Sequence, residues 1–131
     1  MTTEPAPPYG LVLFAHGARD PAWATPFEAV LARVRLLRPD AHVVLAFLEI
    51  MQPDLAEAGA RLVEHGCRQI VVVPLFLGTG GHVRRDLPQQ LQAMRTRYPD
   101  VDWLLLDPIG EHRDVIDAIA RVAAGSDSSN P

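Results

Sequence analysis

The sequence predicts an α/β fold, in the form of a single three-layer α/β/α domain with a four-stranded parallel sheet. Short apolar runs alternate with segments whose apolar residues recur at helical spacing, giving four strand and helix units in series. The predicted strands lack a polar side, as strands covered by helices on both faces do. Because each crossover must be right-handed, the expected strand order is 2-1-3-4.

The length and composition indicate one globular domain. A chain of 131 residues can bury one core and is too short for two. Apolar residues make up 48% of the chain and charged residues 21%, which excludes a largely disordered protein. We expect the domain to span residues 9–124, with a flexible Pro-rich arm at 1–8 and a flexible polar tail at 125–131.

The first half of the chain predicts two strands and two helices. The strands are expected at 9–15 and 43–48. The first helix carries apolar residues at helical spacing, namely Phe27, Val30, Leu31, Val34 and Leu37. Pro39 stops this pattern. Pro53 opens the second helix, which ends at Gly66, a residue typical of a left-handed helix stop.

The second half repeats the alternation. Two further strands and the last helix are expected at 69–77, 101–106 and 111–123. The third helix lies between residues 82 and 98, with Asp86 as its candidate N-cap ahead of Pro88.

His16 and His82 each follow a buried strand and each lies among glycines. In the expected strand order, the loops after strands 1 and 3 diverge and open a crevice where such sheets bind ligands. We therefore expect both imidazoles to face one crevice, with Glu49, which leaves strand 2 at the same edge, as the nearest carboxylate. The alternative interpretations are structural: a histidine bonded to nearby backbone or starting a helix, and a solvated or helix-capping glutamate.

A glycine-rich loop precedes His82 and contains Gly78, Gly80 and Gly81. Such a loop lets a planar ligand approach the main chain or binds an anion through backbone N–H groups, although it is also typical of an ordinary tight turn. Three nearby arginines are candidates for binding substrate carboxylates, or are ordinary surface residues: Arg19, Arg84 and Arg85. His42, His65 and His112 lie at element ends without a common edge and are predicted to be structural.

Composition and charge exclude several classes of function. The net charge of −4 argues against nucleic-acid binding, which favours a basic surface. All twelve basic residues are Arg, so no Walker lysine is present to hold ATP. The single Cys67 can form no internal disulfide and cannot alone hold zinc or an iron–sulfur cluster, which leaves nitrogen and oxygen ligands for a metal. Without a membrane span or signal peptide pattern, we expect a cytoplasmic protein.

Three segments carry a pattern in a fixed order: FAHGARDP at 14–21, FLE at 47–49 and VPLFLGTGGHVRRDLP at 73–88. Together they resemble the small sirohydrochlorin chelatases of the class II chelatase superfamily. The resemblance extends from Tyr9 to about Val122. Either histidine motif alone would be weak evidence for this family, whereas the two motifs together are specific for it. One departure is Ala18, where the first motif commonly has Ser, so a hydroxyl near the first histidine is missing.

The resemblance implies ATP-independent insertion of a divalent metal into sirohydrochlorin. The metal is usually Co²⁺ for cobalamin, with Fe²⁺ for siroheme and Ni²⁺ in related enzymes. The metal is a substrate, and no permanently bound cofactor is implied. The two histidines of the family fall on His16 and His82. Family members of this length generally form homodimers that mimic longer two-lobed chelatases, so a homodimer is expected here.

The chemistry of metal insertion needs these residue types. Neutral imidazole suits Co²⁺, Fe²⁺ and Ni²⁺, and its reference pKa of about 6.5 leaves it mostly unprotonated at neutral pH. Two histidines make an open shell from which an ion can pass to the ring nitrogens. We therefore expect His16 and His82 to be the metal ligands, either of them able to accept a proton, and Glu49 to be a base or third ligand. The arginines would orient the carboxylates of the macrocycle, and the glycine loop would give its flat face room.

Two alternatives remain at this point. A metal or tetrapyrrole carrier would use the same crevice without turnover. A phosphohydrolase of the histidine phosphatase type would have Arg directly before the first histidine, where this chain has Ala15.

Overall fold

The computed structural model describes residues 8–125 and has a four-stranded parallel sheet. The strands are β1 (Tyr9–Ala15), β2 (Ala41–Phe47), β3 (Gln69–Pro74) and β4 (Asp102–Leu105). Their order in the sheet is β2-β1-β3-β4. The helices are α1 (Thr25–Leu37), α2 (Leu55–Glu64), α3 (Gly81–Arg97) and α4 (Arg113–Ala124). Short 3-10 turns at Pro21–Ala24 and Ile109–Glu111 precede α1 and α4. The predicted fold class and strand order are confirmed.

Each face of the sheet has its own core because successive strand residues point to opposite sides. Val12 and Phe14 of β1 lie in the core beneath α2 and α3. Leu13 and Ala15 lie in the core on the other face, beneath α1. The strands are therefore apolar on both sides, which is the pattern that the sequence carries.

The predicted arm and tail lie outside the described residues, apart from Pro8 and Gly125. Gly125 ends α4 with a φ of 70°, in the left-handed conformation that favours glycine. Gly66 likewise has a φ of 88° directly after α2 and His65, as predicted. Within residues 8–125, none of the helices combines the length and apolarity needed to cross a membrane.

The predicted start of the third helix is wrong. Helix α3 begins at Gly81, with Gly80 as the N-cap, so Asp86 lies inside the helix and does not cap it. The prediction relied on Pro88, which is typical of a first helical turn. In the structure Pro88 lies in the helix interior instead. The glycine loop is correspondingly shorter than predicted, since Gly81 is already helical.

Other boundaries differ by a few residues. Strand β3 ends at Pro74, three residues before the predicted 77, and Leu75 donates one further hydrogen bond to the Phe14 carbonyl. Helix α2 begins after Asp54, whose side chain accepts a 2.8 Å hydrogen bond from the Glu57 N–H and caps the helix in place of Pro53. Helix α4 begins after His112, two residues later than predicted.

Both outer strands of the sheet have a carbonyl group that is bound by an arginine. Arg35 of α1 donates to the Val43 carbonyl of β2 at 2.9 Å. Arg95 of α3 donates to the Trp103 carbonyl of β4 at the same distance. Unpaired carbonyl groups at a sheet edge are templates for pairing with another chain, so both arginines protect the edges.

Candidate functional site

His16, Glu49 and His82 line one cavity of about 400 Å³ at the carboxyl ends of the strands. Leu48, Val83, Asp86 and Leu87 complete its lining. His16 follows β1, Glu49 follows β2, and His82 is the second residue of α3, which follows β3. The structure therefore brings together the three side chains that were predicted to meet because each follows a strand. They lie where the connections from β1 and β3 run in opposite directions along the sheet.

The His16 ring lies against the buried ring of Phe76. The ring centroids are 4.2 Å apart and the ring planes are inclined by 30°, which is a close, tilted contact. Phe76 is 2% exposed and belongs to the larger core cluster. Because Phe76 is fixed by the core, it limits the orientations that the exposed imidazole can adopt.

The loops after β1 and β2 are joined by hydrogen bonds that continue the strand ladder. The Leu48 N–H donates to the Ala15 carbonyl at 2.8 Å, and the Glu49 N–H donates to the His16 carbonyl at 3.0 Å. Gly17 follows with a φ of 101°, and a Cβ atom there would collide with the Glu49 carbonyl oxygen. Glycine at this position is therefore required for His16 and Glu49 to lie next to each other.

Ile50 adopts a strained conformation directly after Glu49. Its φ is 71°, which is rare for a β-branched residue. The Met51 N–H donates to the Glu49 carbonyl at 2.7 Å, which makes the three residues a γ-turn. Strain of this kind, about 1–3 kcal/mol, persists where surrounding structure imposes it, and it occurs most often at functional sites. The turn fixes the backbone that carries Glu49.

His82 lies within hydrogen-bond distance of Asp86, one helical turn later. The Nε2 atom of His82 lies 2.9 Å from Oδ2 of Asp86. Both side chains reach solvent, with His82 83% and Asp86 42% exposed. The sequence patterns did not predict this contact, because they placed Asp86 at the helix start. The spacing of four residues would have indicated it once the helix was known to begin at Gly81.

The other predicted binding residues lie around the cavity rather than in it. At Gly78, Gly80 and Gly81 no atom lies within 4 Å of the point that a Cβ would occupy, and none of the three has a positive φ, so the loop is open to solvent. Arg84 donates to the Thr79 hydroxyl at 3.4 Å and lines a second cavity of about 320 Å³ next to α3. Arg19 and Arg85 are exposed and line neither cavity.

The three remaining histidines have structural contacts. Nδ1 of His65 lies 2.7 Å from the Arg61 carbonyl oxygen, and Nδ1 of His112 accepts a 3.1 Å hydrogen bond from the Asp114 N–H. The expectation that they share no edge is wrong for one pair, since the rings of His42 and His65 are 5.1 Å apart. This pair lies between the start of β2 and the end of α2, away from the cavity with His16.

Within the described part of the chain, no three His, Cys, Asp or Glu side chains lie close enough to hold one metal ion together. His16, Glu49 and His82 share a cavity without forming a closed coordination shell. Neutral imidazoles and a carboxylate are suitable ligands for divalent transition metals. An open arrangement of such donors lets an ion bind and leave.

Comparison with known proteins identifies similar chains over most of this one. A model of the CbiX family matches residues 10–125. A sirohydrochlorin cobaltochelatase of Sulfolobus acidocaldarius is 33% identical over 115 residues, covering 87% of this chain and 89% of the relative. The structure of a protein described as a CbiX protein of cobalamin biosynthesis, from Marinobacter aquaeolei, has a TM-score of 0.80 and 29% identity, covering 91% of this chain and 97% of that one.

A longer structural relative is the sirohydrochlorin chelatase SirB from Bacillus subtilis, solved in complex with cobalt. It has a TM-score of 0.72 and 26% identity, and the match covers 90% of this chain. The same match covers 50% of SirB, so this chain spans half the length of that protein.

Proposed function

Because the chain belongs to the CbiX family, we propose that it is an enzyme that inserts a divalent metal ion into sirohydrochlorin. The observation that carries the proposal is the shared cavity of His16, Glu49 and His82. It provides nitrogen and oxygen donors at the sheet edge where this fold class binds ligands. A family match alone would not say which residues act.

We propose Co²⁺ as the preferred metal, with Fe²⁺ and Ni²⁺ as competitors. The cobaltochelatase of Sulfolobus supports this order, whereas SirB is solved both with cobalt and with Fe³⁺ and does not distinguish the two metals. Imidazole nitrogen suits all three ions, so donor type alone does not select between them. The relevant experiment is a competition assay in which the three ions are offered with defined tetrapyrroles. Preferred insertion of iron or nickel would contradict the choice of cobalt.

In the proposed mechanism, His16 and His82 hold the incoming ion above the macrocycle. Two pyrrole protons must leave as the ion enters the ring. Glu49 is placed to accept one of them or to act as a third ligand, and each imidazole can accept a proton once the ion has left it. The lack of lysine leaves no Walker motif, and metal insertion is proposed to need no ATP. His16 and His82 form an incomplete coordination shell, so the ion can transfer from them to the ring nitrogens.

The substrate would lie across the open glycine loop. Gly78, Gly80 and Gly81 leave space for a flat ring next to the main chain. Arg84, at the border of the second cavity, would bind a peripheral carboxylate, and the exposed Arg19 and Arg85 would bind others.

The proposal predicts that His16→Ala and His82→Ala each reduce the rate of metallation by about 100-fold or more, since each removes a donor that holds the ion. The measurement is the change in visible absorbance of sirohydrochlorin with Co²⁺, with circular dichroism to show that the fold is retained. His42→Ala is the matched control, because His42 is exposed and lies outside the cavity.

Near-normal rates for both variants would contradict the assignment of the site. A carrier would use the same donors without turnover. Stoichiometric binding of metal or tetrapyrrole by the wild-type protein, with no metallated ring formed, would favour the carrier and contradict the chelatase.

We further propose that two copies of the chain form a homodimer. Helix α4 buries none of its side chains, and Ile116, Ile119 and Val122 are 50%, 44% and 66% exposed. Leu104 of β4 and Leu106 after it are also 51% and 41% exposed. An exposed apolar helix face of this kind is typical of an interface. Since the chain spans half the length of SirB, we propose that a second copy of the chain covers this surface, which gives a dimer about as large as SirB.

A further inference from the structure

We propose that Asp86 is a positioning residue that fixes the tautomer of His82 and so determines which imidazole nitrogen reacts. The two residues are four apart on the first turns of α3, so their side chains lie on the same side of the helix. His82 Nε2 and Asp86 Oδ2 are 2.9 Å apart, and both residues line the cavity that contains His16 and Glu49.

The chemistry of this contact gives the two nitrogens of His82 different roles. A neutral imidazole carries one N–H group and one lone pair, and an ionised carboxylate only accepts hydrogen bonds. Nε2 must therefore carry the hydrogen and donate to Asp86. The lone pair is left on Nδ1, which is the nitrogen that can bind a metal ion or accept a pyrrole proton.

His16 is held in a different way. Its ring lies against Phe76, and within residues 8–125 it has no hydrogen-bond partner for either nitrogen. This contact restricts the plane of the ring but does not distinguish the two tautomers. The two histidines of the site are therefore not equivalent, since only the tautomer of His82 is selected by a neighbouring charge.

The exposure of the pair limits its effect in the free protein. With His82 83% and Asp86 42% exposed, water screens the contact. A substrate lying over the cavity would exclude this water and strengthen the hydrogen bond, because the local dielectric constant falls. Loss of an orienting partner of a metal-binding histidine typically reduces affinity or activity by about 10–100-fold, and we expect about tenfold here.

The first test is ¹⁵N NMR of the His82 ring in the metal-free protein, at a pH where the imidazole is neutral. Wild-type protein should have a larger fraction of the tautomer with the hydrogen on Nε2 than Asp86→Ala, in which the carboxylate that selects it is missing. Asp86→Asn should not restore the wild-type tautomer, since its amide group can donate to Nε2 and leave the hydrogen on Nδ1, which a carboxylate cannot do. Asp40→Ala, which removes an exposed aspartate paired with Arg38, is the control and should leave the His82 signals unchanged. Equal tautomer fractions in wild type and Asp86→Ala would overturn the proposal.

The second test is a double-mutant cycle on metallation of sirohydrochlorin with Co²⁺. Asp86→Ala should lower kcat about tenfold with little change in the KM for sirohydrochlorin. In the His82→Ala background the same replacement should have no further effect, because Asp86 acts through His82. A further loss of similar size in that background would make Asp86 a ligand or base in its own right and would refute a positioning role.

The inference rests on the proposed function only for its kinetic consequence. The NMR measurement uses neither metal nor tetrapyrrole. If the tautomer responds to Asp86 as expected but the wild-type protein metallates no tetrapyrrole, the proposed function fails while the role of Asp86 in selecting the tautomer stands.

Discussion

Gly17 is the residue that allows the loops after β1 and β2 to touch. Its φ of 101° is in the region that favours glycine, and the space where a side chain would begin is occupied by the Glu49 carbonyl oxygen. The hydrogen bond from the Glu49 N–H to the His16 carbonyl lies at the same point. The close approach of His16 and Glu49 therefore depends on glycine at position 17.

Replacing Gly17 with alanine should destabilise the protein by about 2 kcal/mol or more, because the methyl group adds a steric clash to an unfavourable φ. Urea unfolding measures the loss, and the metallation rate should fall as well, because the clash separates His16 from Glu49.

Gly78→Ala is the matched control for this prediction. Its φ is not positive and no atom lies within 4 Å of its Cβ position, so its free energy of unfolding should change by less than about 1 kcal/mol. Equal losses in the two variants would show that the contact between the loops is unimportant.

Helix α3 carries a proline in its interior, and this separates its first turns from the rest. Pro88 has no N–H to donate to the carbonyl one turn earlier, which belongs to Arg84. The turns before Pro88 hold His82 and Asp86, and the turns after it bury Leu91 and Met94 in the core. The site is therefore on the segment of the helix that is least supported by helical hydrogen bonds.

Pro88→Ala should stabilise the protein by about 1–3 kcal/mol, since it restores a helical hydrogen bond and removes the steric cost of an interior proline. Urea unfolding at neutral pH measures the change. Pro39→Ala is the control, because Pro39 lies in the turn after α1 and its loss should reduce stability slightly by increasing the freedom of the unfolded chain. A destabilised Pro88→Ala protein would mean that the local distortion is needed for packing.

Patterns within one element were sufficient to predict most of the fold. Strand β1 was predicted at its observed bounds because an apolar run ends at a His–Gly pair, and the strand order followed from the handedness of crossovers. The start of α3 was not predictable in this way, since proline favours a first turn statistically and tolerates an interior position only when tertiary contacts compensate. That error also concealed the contact between His82 and Asp86.

The sequence also predicted which side chains meet at the sheet edge but not how they are held. His16, Glu49 and His82 follow three strands, and parallel strands all end at the same edge. Phe76 belongs to an apolar run and reads as a core residue, which it is. Its contact with His16 depends on the separation of two elements in space, and no local pattern encodes that distance.

The four helices differ in how much of their apolar surface they pack against the rest of the molecule. Helices α2 and α3 bury apolar residues in the core and α1 packs its partly buried Phe27, Leu31 and Val34 against the sheet, whereas α4 packs mainly against the turn Ile109–Glu111 and leaves its apolar face exposed. The edges of the sheet are protected by Arg35 and Arg95, so pairing of strands between copies is disfavoured. The apolar face of α4 is therefore the surface through which we expect two copies to associate.

Ile119→Asp should convert the dimer to a monomer, because association would bury an unpaired carboxylate in an apolar interface. Light scattering coupled to size-exclusion chromatography measures the mass, which is 14.4 kDa for one chain. Leu36→Asp is the control, since Leu36 is 82% exposed on α1 and should leave the dimer intact. A monomeric wild-type protein, or a dimeric Ile119→Asp protein, would contradict the proposed interface.

The interlocked loops after β1 and β2 have a consequence for how such a protein can change during evolution. An insertion or deletion next to Gly17 would displace both His16 and Glu49, since the two loops are in direct contact and are joined by a hydrogen bond. The segment from Gly78 to Gly80 has no such neighbour and tolerates changes in length and shape. Lineages that acquire a new tetrapyrrole should therefore diverge beside α3, while the segments that follow β1 and β2 keep their length.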